Sequence, residues 1–290
     1  MTITVRRDEA MGPHTTYRVG GSVATFVVLE QLDDVAELEV TNSDVRAVGN
    51  GSNLLVADGL HPIVAVQCAG SLASLSWSDE DDGVTVVAGA GMDLPRAARQ
   101  LAADGVTGFA WAVGVPGTFG GAVAMNAGGH GSDMAASVLA VRVWRDGALT
   151  TLTADDLGFG YRTSSLRVHD IVLDVTLGLR RGEATEESEQ IREIVRWRRE
   201  HQPGGANAGS VFRNPPGDAA GRLIEAAGAR GLRRGTAMVS DKHANFIVAD
   251  SGGQANDVFA LMREVRARVL ADSGILLEPE TKLWGFEEPL

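Results

Sequence analysis

Residues 113–131 read VGVPGTFGGAVAMNAGGHG, with seven glycines in 19 positions. So many positions without a side chain leave a length of bare backbone, and a planar ligand with a flexible tail can lie directly against such a wall. An earlier stretch, GNGSNLLV at 49–56, alternates glycine with Ser52 and Asn53. A loop of this kind can aim several backbone N–H groups at one point and hold a phosphate without a net positive charge. Either stretch could instead be a tight turn or a bulge, and 113–131 is the harder to read that way. Neither contains G-x-x-x-x-G-K-[ST], and GNGSNL and GAGMDL lack the third glycine of the dinucleotide fingerprint. Walker-type triphosphate binding and the doubly wound NAD fold are therefore disfavoured.

Working outward, the chain around these loops is rich in strands. ATFVVLE (24–30), VTVVAGAG (84–91), VLAVRVWRDGALTTLT (138–153) and DIVLDVTLGLR (170–180) carry β-branched runs, and the Asp146-Gly147 step predicts a hairpin. DLPRAARQLAADG (93–105) predicts a helix with Asp93 as its cap, Pro95 in the first turn and Gly105 at its end. The composition changes near 181. The charge-dense segment 180–203 spaces Ile191, Ile194, Val195 and Arg198 on one helical face, and Pro203 stops it. A last helix is predicted over 256–274, capped by Asn256, with an apolar stripe at Val258, Leu261, Met262, Val265 and Val269. The expectation is an α+β chain in two domains, 1–180 (lobes of about 1–67 and 68–180) and 181–290.

Lysine and arginine number 26 against 38 acidic residues, a net charge of -12. This opposes general binding to nucleic acid or an anionic membrane, so an anionic substrate would need its own cationic pocket. The single cysteine, Cys68, can form no internal disulfide or thiolate metal cluster, and the six histidines have no metal-ligand spacing. No stretch has the apolar run of a signal peptide or the ~20 apolar residues of a membrane span. The expectation is a soluble, cytoplasmic protein without a metal site.

Seven segments occur in order: TTYRVGG (15–21), GNGSNLLV, VGVPGTFGGAVAMNAG, YRTS (161–164), NAGSVFRNP (207–215), DKHANFIV (241–248) and LEPETKLWG (277–285). Together they resemble the UDP-N-acetylenolpyruvoylglucosamine reductases, flavoenzymes that complete UDP-N-acetylmuramic acid in peptidoglycan synthesis. The compact 180–207 region resembles the shorter subclass, which lacks an inserted tyrosine-bearing loop. The resemblance implies a vanillyl-alcohol-oxidase/PCMH-type FAD-binding portion in two lobes and a C-terminal α+β substrate-binding domain. It further implies non-covalent FAD, NADPH as hydride donor, a UDP-sugar carrying an enolpyruvyl group as substrate, no nucleic-acid or membrane partner, and a monomer. It puts FAD on Gly49, Asn50, Gly51, Ser52, Asn53 and Leu54, and on Val115, Pro116, Gly117, Thr118, Gly120, Gly121, Asn126, Ala127 and Gly128.

In the implied reaction, NADPH gives a hydride to the flavin, which passes it to the terminal enolpyruvyl carbon, and the neighbouring carbon takes a proton. Such a site must bind a carboxylate, stabilise an enediolate-like intermediate and supply one acid. Arg162 suits the carboxylate because a guanidinium is always charged and can donate twice; Tyr161 is a packing residue or a wall of the site. Glu278 and Glu280 flank Pro279, which favours extended backbone, so both carboxylates project to one side and alternation does not choose between them. The resemblance chooses Glu280, which in a dry site could stay protonated. Ser210 is not in a G-x-S-x-G elbow and no base is paired with it, and the resemblance makes it the proton donor. Asn214, with Arg213 beside it, is expected to hold the nucleotide sugar, the family correspondence falling on Asn214. His201 stands where relatives commonly carry a lysine facing the diphosphate. Lys242, His243 and Asn245 either contact ligand or cap a strand entrance. The alternatives are a paralogue acting on a different (nucleotide-)sugar and a flavin-dependent oxidase.

Overall fold

The computed structural model describes residues 3–38, 44–288 and 290. They group into two compact units, the first from the described residues of 1–7, 25–49 and 62–198, the second from 8–24, 50–61 and 199–290. This partition differs from a single cut at 180. Tyr17, Val19 and Leu55 are buried in the same apolar cluster as Val211, Phe212 and Leu261. Strand Leu54–Val56 also pairs in parallel with Lys282–Trp284. Two N-terminal segments thus supply core to the second unit. At the other end, Ile191 is buried with Val86, Leu101 and Phe119, so most of the charge-dense helix belongs to the first.

The first unit is built on an antiparallel sheet ordered Ala148–Thr153, Val138–Arg145, Ile171–Arg181, Gly83–Gly89, Leu75–Glu80. Alternation sets its faces over 141–143, with Val141 and Val143 buried and Arg142 exposed, while Leu139 is exposed at the register shift between Val138 and Ala140. The predicted hairpin is present, with Arg145 opposite Ala148 and both Asp146 (φ 52) and Gly147 (φ 81) left-handed, the backbone a two-residue type I′ turn needs. Helix Leu94–Ala103 buries Ala97, Ala98 and Leu101 and carries Pro95 in its first turn; Asp93 holds the cap position but makes no side-chain capping bond. In a second cluster of this unit, Val27, Leu29, Val45 and Val66, from a second sheet in which strand Leu60–Cys68 lies between Ser22–Leu29 and Asp44–Ala47, pack with Leu173.

Helix Ala184–His201 ends before Pro203 as expected, but its inner face differs from the predicted one. Ile191 is buried and Ile194 half-buried, Val195 is exposed, and the unexpected inward residue is Glu187. Its carboxylate accepts the N–H groups of Gly108 (3.0 Å), Phe109 (2.9 Å) and Ala110 (2.7 Å). These are the otherwise orphaned donors where the short helix Ala110–Gly114 begins, immediately before the glycine loop. Glu187→Gln keeps one acceptor and loses the charge, so it should lower stability by about 1–2 kcal/mol, read as a lower denaturant midpoint.

In the second unit, helix Ala255–Ser273 buries Val258, Leu261, Met262, Val265 and Val269, the whole predicted stripe. Its cap is not Asn256. The Asp58 carboxylate accepts from the N–H groups of Ala255 (3.1 Å) and Asn256 (2.9 Å), placing an anion at the positive end of the helix. Gly274, left-handed at φ 71, ends it. Helix Ala220–Ala226 and a sheet ordered Arg233–Arg234, Ala237–Val239, Ile247–Ala249 pack against it.

Candidate functional site

In the first unit, residues 117–120 lie alongside 90–94. Leu94 N–H donates to Gly117 C=O (2.9 Å), Phe119 N–H to Met92 C=O (3.0 Å) and Gly120 N–H to Ala90 C=O (2.9 Å). Gly49 packs on this strip so closely that a Cβ there would lie 2.2 Å from Oγ1 of the buried Thr118. A Cβ on Gly121 or Gly129, by contrast, would meet nothing within 4 Å. Bare backbone facing open space is what a planar ligand needs, and Val115, Ala127 and Gly128 are half-buried and Pro116 exposed along the same loop.

Asn126, expected on the cofactor, is bonded within the protein. It is buried; its Nδ2 donates to Asp133 Oδ2 (3.1 Å) and Gly160 C=O (3.0 Å), and its Oδ1 accepts from Ala135 N–H (3.0 Å). Both amide protons are thus engaged within the protein. Tyr161 and Arg162 sit in the tight turn Gly160–Thr163, with Arg162 left-handed at φ 57. Arg162 Nη2 donates to Gly128 C=O (2.8 Å), and its Cζ lies 5.2 Å from the ring centre of the half-exposed Tyr161, a cation–π contact. The structure thus brings Asn126, Gly128, Tyr161 and Arg162 together.

In the second unit, Gly51 is left-handed (φ 56), and a Cβ on it would lie 2.3 Å from His14 C=O. Among the described residues the backbone N–H groups of Gly51, Ser52 and Asn53 donate to no acceptor, an arrangement suited to a phosphate. The side chain of Asn53 is engaged elsewhere. Its Nδ2 donates to Glu280 C=O (3.0 Å), while the Asn53 C=O accepts from Lys282 N–H (2.9 Å). Leu54 is buried at the start of the paired strand, its N–H turned back to Gly51 C=O (3.3 Å). Asn53 and Leu54 therefore hold the 280–284 segment through these groups.

The serine loop is organised from inside. Asn207 Oδ1 accepts from Gly209 N–H (3.1 Å), and Gly209 is left-handed at φ 75. Beyond Ser210, Glu280 N–H donates to Val211 C=O (2.8 Å), Arg213 N–H donates to Glu278 C=O (2.9 Å), and Phe212 faces Pro279 in an antiparallel bridge. Ser210 and Glu280 thus lie on paired neighbouring segments. On its other side the serine segment is gripped by Asn245, which is buried. Asn245 Oδ1 accepts from Phe212 N–H (3.0 Å), its Nδ2 donates to Phe212 C=O (2.8 Å), and its C=O accepts from Val211 N–H (2.9 Å). His243 Nδ1 accepts from Asn245 N–H (3.2 Å), and burial, then the charge of Arg230, holds this imidazole below its ordinary pKa. Lys242 Nζ donates to Arg199 C=O (2.6 Å). Each of these three residues of DKHANFIV makes a bond within the protein.

Glu278 and Glu280, equivalent by alternation, differ in burial: Glu278 is exposed, 3.9 Å from the Arg213 guanidinium, and Glu280 is half-buried. Lys282 was not singled out in the sequence. Partial burial, then the neighbouring charge of Arg213, pulls its ammonium pKa down. Arg213 and Lys282 place two positive charges close together in an acidic chain, and the signal was the i+2 spacing after Glu280. Asn214 is exposed and its Oδ1 accepts from Ala220 N–H (3.0 Å) at the start of helix Ala220–Ala226; His201 is exposed at the end of its own helix.

Comparison with known proteins gives two family matches: "FAD binding domain" over residues 23–153 and "UDP-N-acetylenolpyruvoylglucosamine reductase, C-terminal domain" over residues 201–284. The chain is 40% identical over 289 residues to UDP-N-acetylenolpyruvoylglucosamine reductase 2 of Symbiobacterium thermophilum, covering 97% of this chain and 92% of that protein. It is 42% identical over 285 residues to the UDP-N-acetylenolpyruvoylglucosamine reductase of Paramagnetospirillum magneticum, covering 96% and 91%. The crystal structure of UDP-N-acetylenolpyruvylglucosamine reductase from Thermus caldophilus superposes with a TM-score of 0.83 at 36% identity, covering 98% of this chain and 99% of that one. Among the described residues, no helix is long and apolar enough to cross a membrane.

Proposed function

The chain belongs to the UDP-N-acetylenolpyruvoylglucosamine reductase family, and we propose that it reduces UDP-N-acetylenolpyruvoylglucosamine to UDP-N-acetylmuramate for peptidoglycan synthesis, with non-covalent FAD, NADPH, and Ser210 as proton donor. The observation that carries the assignment of Ser210 is the clamp around it: Glu280 paired to Val211 on one side and Asn245 bonded to both groups of Phe212 on the other. Such a segment holds its hydroxyl in place without relying on a flexible loop.

In the first unit the open backbone at Gly121 suits a flavin ring, and in the second the N–H groups of Gly51, Ser52 and Asn53, which among the described residues donate to no acceptor, suit a pyrophosphate. Bound FAD would supply the hydride-transfer chemistry that links NADPH to the terminal enolpyruvyl carbon. Arg162 binds the substrate carboxylate with its charged guanidinium, and Tyr161 flanks it. Glu280 stabilises the enediolate-like substrate by sharing a proton with it. A serine hydroxyl is a weak acid, so Ser210 releases its proton only to a strongly basic carbon, after the hydride has arrived. Asn214 and His201 hold the nucleotide sugar, with Arg213 and Lys282 offsetting its negative charge. The protein acts as a cytoplasmic monomer with no nucleic-acid or membrane partner.

Gly51→Ala should weaken FAD binding about tenfold or more, because the left-handed backbone disfavours any side chain and the new Cβ would press on His14 C=O. The flavin-to-protein ratio after gel filtration checks this. The overall assignment is tested by incubating the protein with NADPH and UDP-N-acetylenolpyruvoylglucosamine and weighing the sugar nucleotide: a gain of two hydrogens per NADPH oxidised supports it, and an unchanged mass overturns it.

A further inference from the structure

Asn126, His130 and Arg162 are non-glycine residues with left-handed backbone, φ 39, 53 and 57, a region that side chains rarely adopt. Hydrogen bonds link their segments into a closed circuit. The turn carrying Arg162 is fastened by Gly160 N–H to Thr163 C=O (3.1 Å) and Thr163 N–H to Gly160 C=O (3.2 Å). Asn126 Nδ2 donates both to that turn, at Gly160 C=O, and to the Asp133 carboxylate in the hairpin of Gly128–Gly129 with Ser132–Asp133. Arg162 returns the contact by donating to Gly128 C=O. Gly128 and Asp133 are direct partners across the hairpin, so the guanidinium and the base of its turn are fixed to the same rung.

The tip of this hairpin is fixed as well. The His130 ring packs edge-to-face on Trp197, with centroids 5.2 Å apart and planes at 87°. It also lies over Gly114, where a Cβ would come 2.9 Å from His130 Cδ2 and 3.3 Å from Ile194 Cγ2. A left-handed residue persists where its surroundings over-determine it, and these contacts do so.

We propose that Asn126 is a positioning residue for Arg162, acting through the Gly160 turn, and that His130 locks the hairpin on which both are mounted. The inference rests on the reading of Arg162 as the carboxylate-binding group. It gives Asn126 a part in substrate recognition that needs no contact with any ligand. If Asn126 only stabilised the fold, removing its donors would weaken the protein without depending on the identity of residue 162.

A double-mutant cycle on the FAD-loaded enzyme separates these cases. Asn126→Asp keeps the size and the acceptor for Ala135 but loses both N–H donors and sets a second carboxylate beside Asp133. It should weaken binding of the enolpyruvyl sugar, read from the flavin absorbance change, by about tenfold, with flavin content and flavin reduction by NADPH within about twofold of the parent. In an Arg162→Ala background the same change should add less than about twofold. His130→Gly, whose residue suits the left-handed backbone, should act in the same direction by about threefold and lose its effect in that background too; it carries the cycle if Asn126→Asp does not fold. The proposal is overturned if these changes are as damaging without Arg162 as with it, or are silent while Arg162→Ala weakens binding. A silent Arg162→Ala is a distinct result, which removes the role of Arg162 and the positioning role with it.

Discussion

Ser210→Ala should leave reduction of the flavin by NADPH unchanged while slowing its reoxidation by the enolpyruvyl sugar a hundredfold or more, about 2.7 kcal/mol at the transition state. The asymmetry follows from the chemistry. Hydride transfer from NADPH moves no proton that Ser210 could supply, whereas reduction of the enolpyruvyl carbon builds a basic centre that must be protonated. The change removes one hydroxyl from a segment whose backbone is held independently by Glu280, Asn207 and Asn245, so it should not disturb the fold. Stopped-flow absorbance resolves the two half-reactions. Equal slowing of both would contradict the role given to Ser210 and point to a displaced flavin.

Asn245→Leu should be the most destabilising of the substitutions considered. The leucine fits the volume, but the N–H and C=O of Phe212, a residue only 1% exposed, lose their partners. Each buried, unpaired backbone group costs about 1–3 kcal/mol, so a loss of about 2–6 kcal/mol is expected in denaturant unfolding. Activity of the surviving folded fraction should fall chiefly in the second half-reaction, because the same bonds hold the loop segment that carries Ser210. Unchanged stability with a raised KM would instead make Asn245 a ligand contact.

The α+β class was legible because its signals are local, while the flavin-binding portion and the C-terminal domain were what the resemblance of seven ordered segments implied. The β-branched runs fell on strands, Asp146-Gly147 made its hairpin, and the apolar stripe from Val258 to Val269 was buried in full. What was not legible depended on distant pairing. Nothing near residues 15–19 or 54–56 announces that they pack with a helix some 200 residues later, and the cap of that helix comes from Asp58. Glu187 stood among charged residues in a polar stretch, and its three N–H partners lie nearly eighty positions away.

At the candidate site, the sequence names segments, and the structure adds which bonds each side chain makes within the protein. Asn126, grouped with the cofactor loop, has its amide protons engaged inside the protein, and Asn53 similarly donates to Glu280. An amide's hydrogen-bonding capacity is visible in sequence, but its partners are not. Glu278 and Glu280 differ in burial, a property that alternation alone could not supply. Lys282 escaped notice because a single lysine in a strand is ordinarily a solvated one; its significance lies in the charge of Arg213 beside it.

The most direct test of the account is one anaerobic titration of the purified protein, followed by flavin absorbance. The protein should be yellow as isolated, bleach on addition of NADPH, stay bleached without oxygen, and regain its full band on one equivalent of UDP-N-acetylenolpyruvoylglucosamine. A colourless protein that takes up no FAD, or one whose band returns only with oxygen and never with the enolpyruvyl sugar, would contradict it.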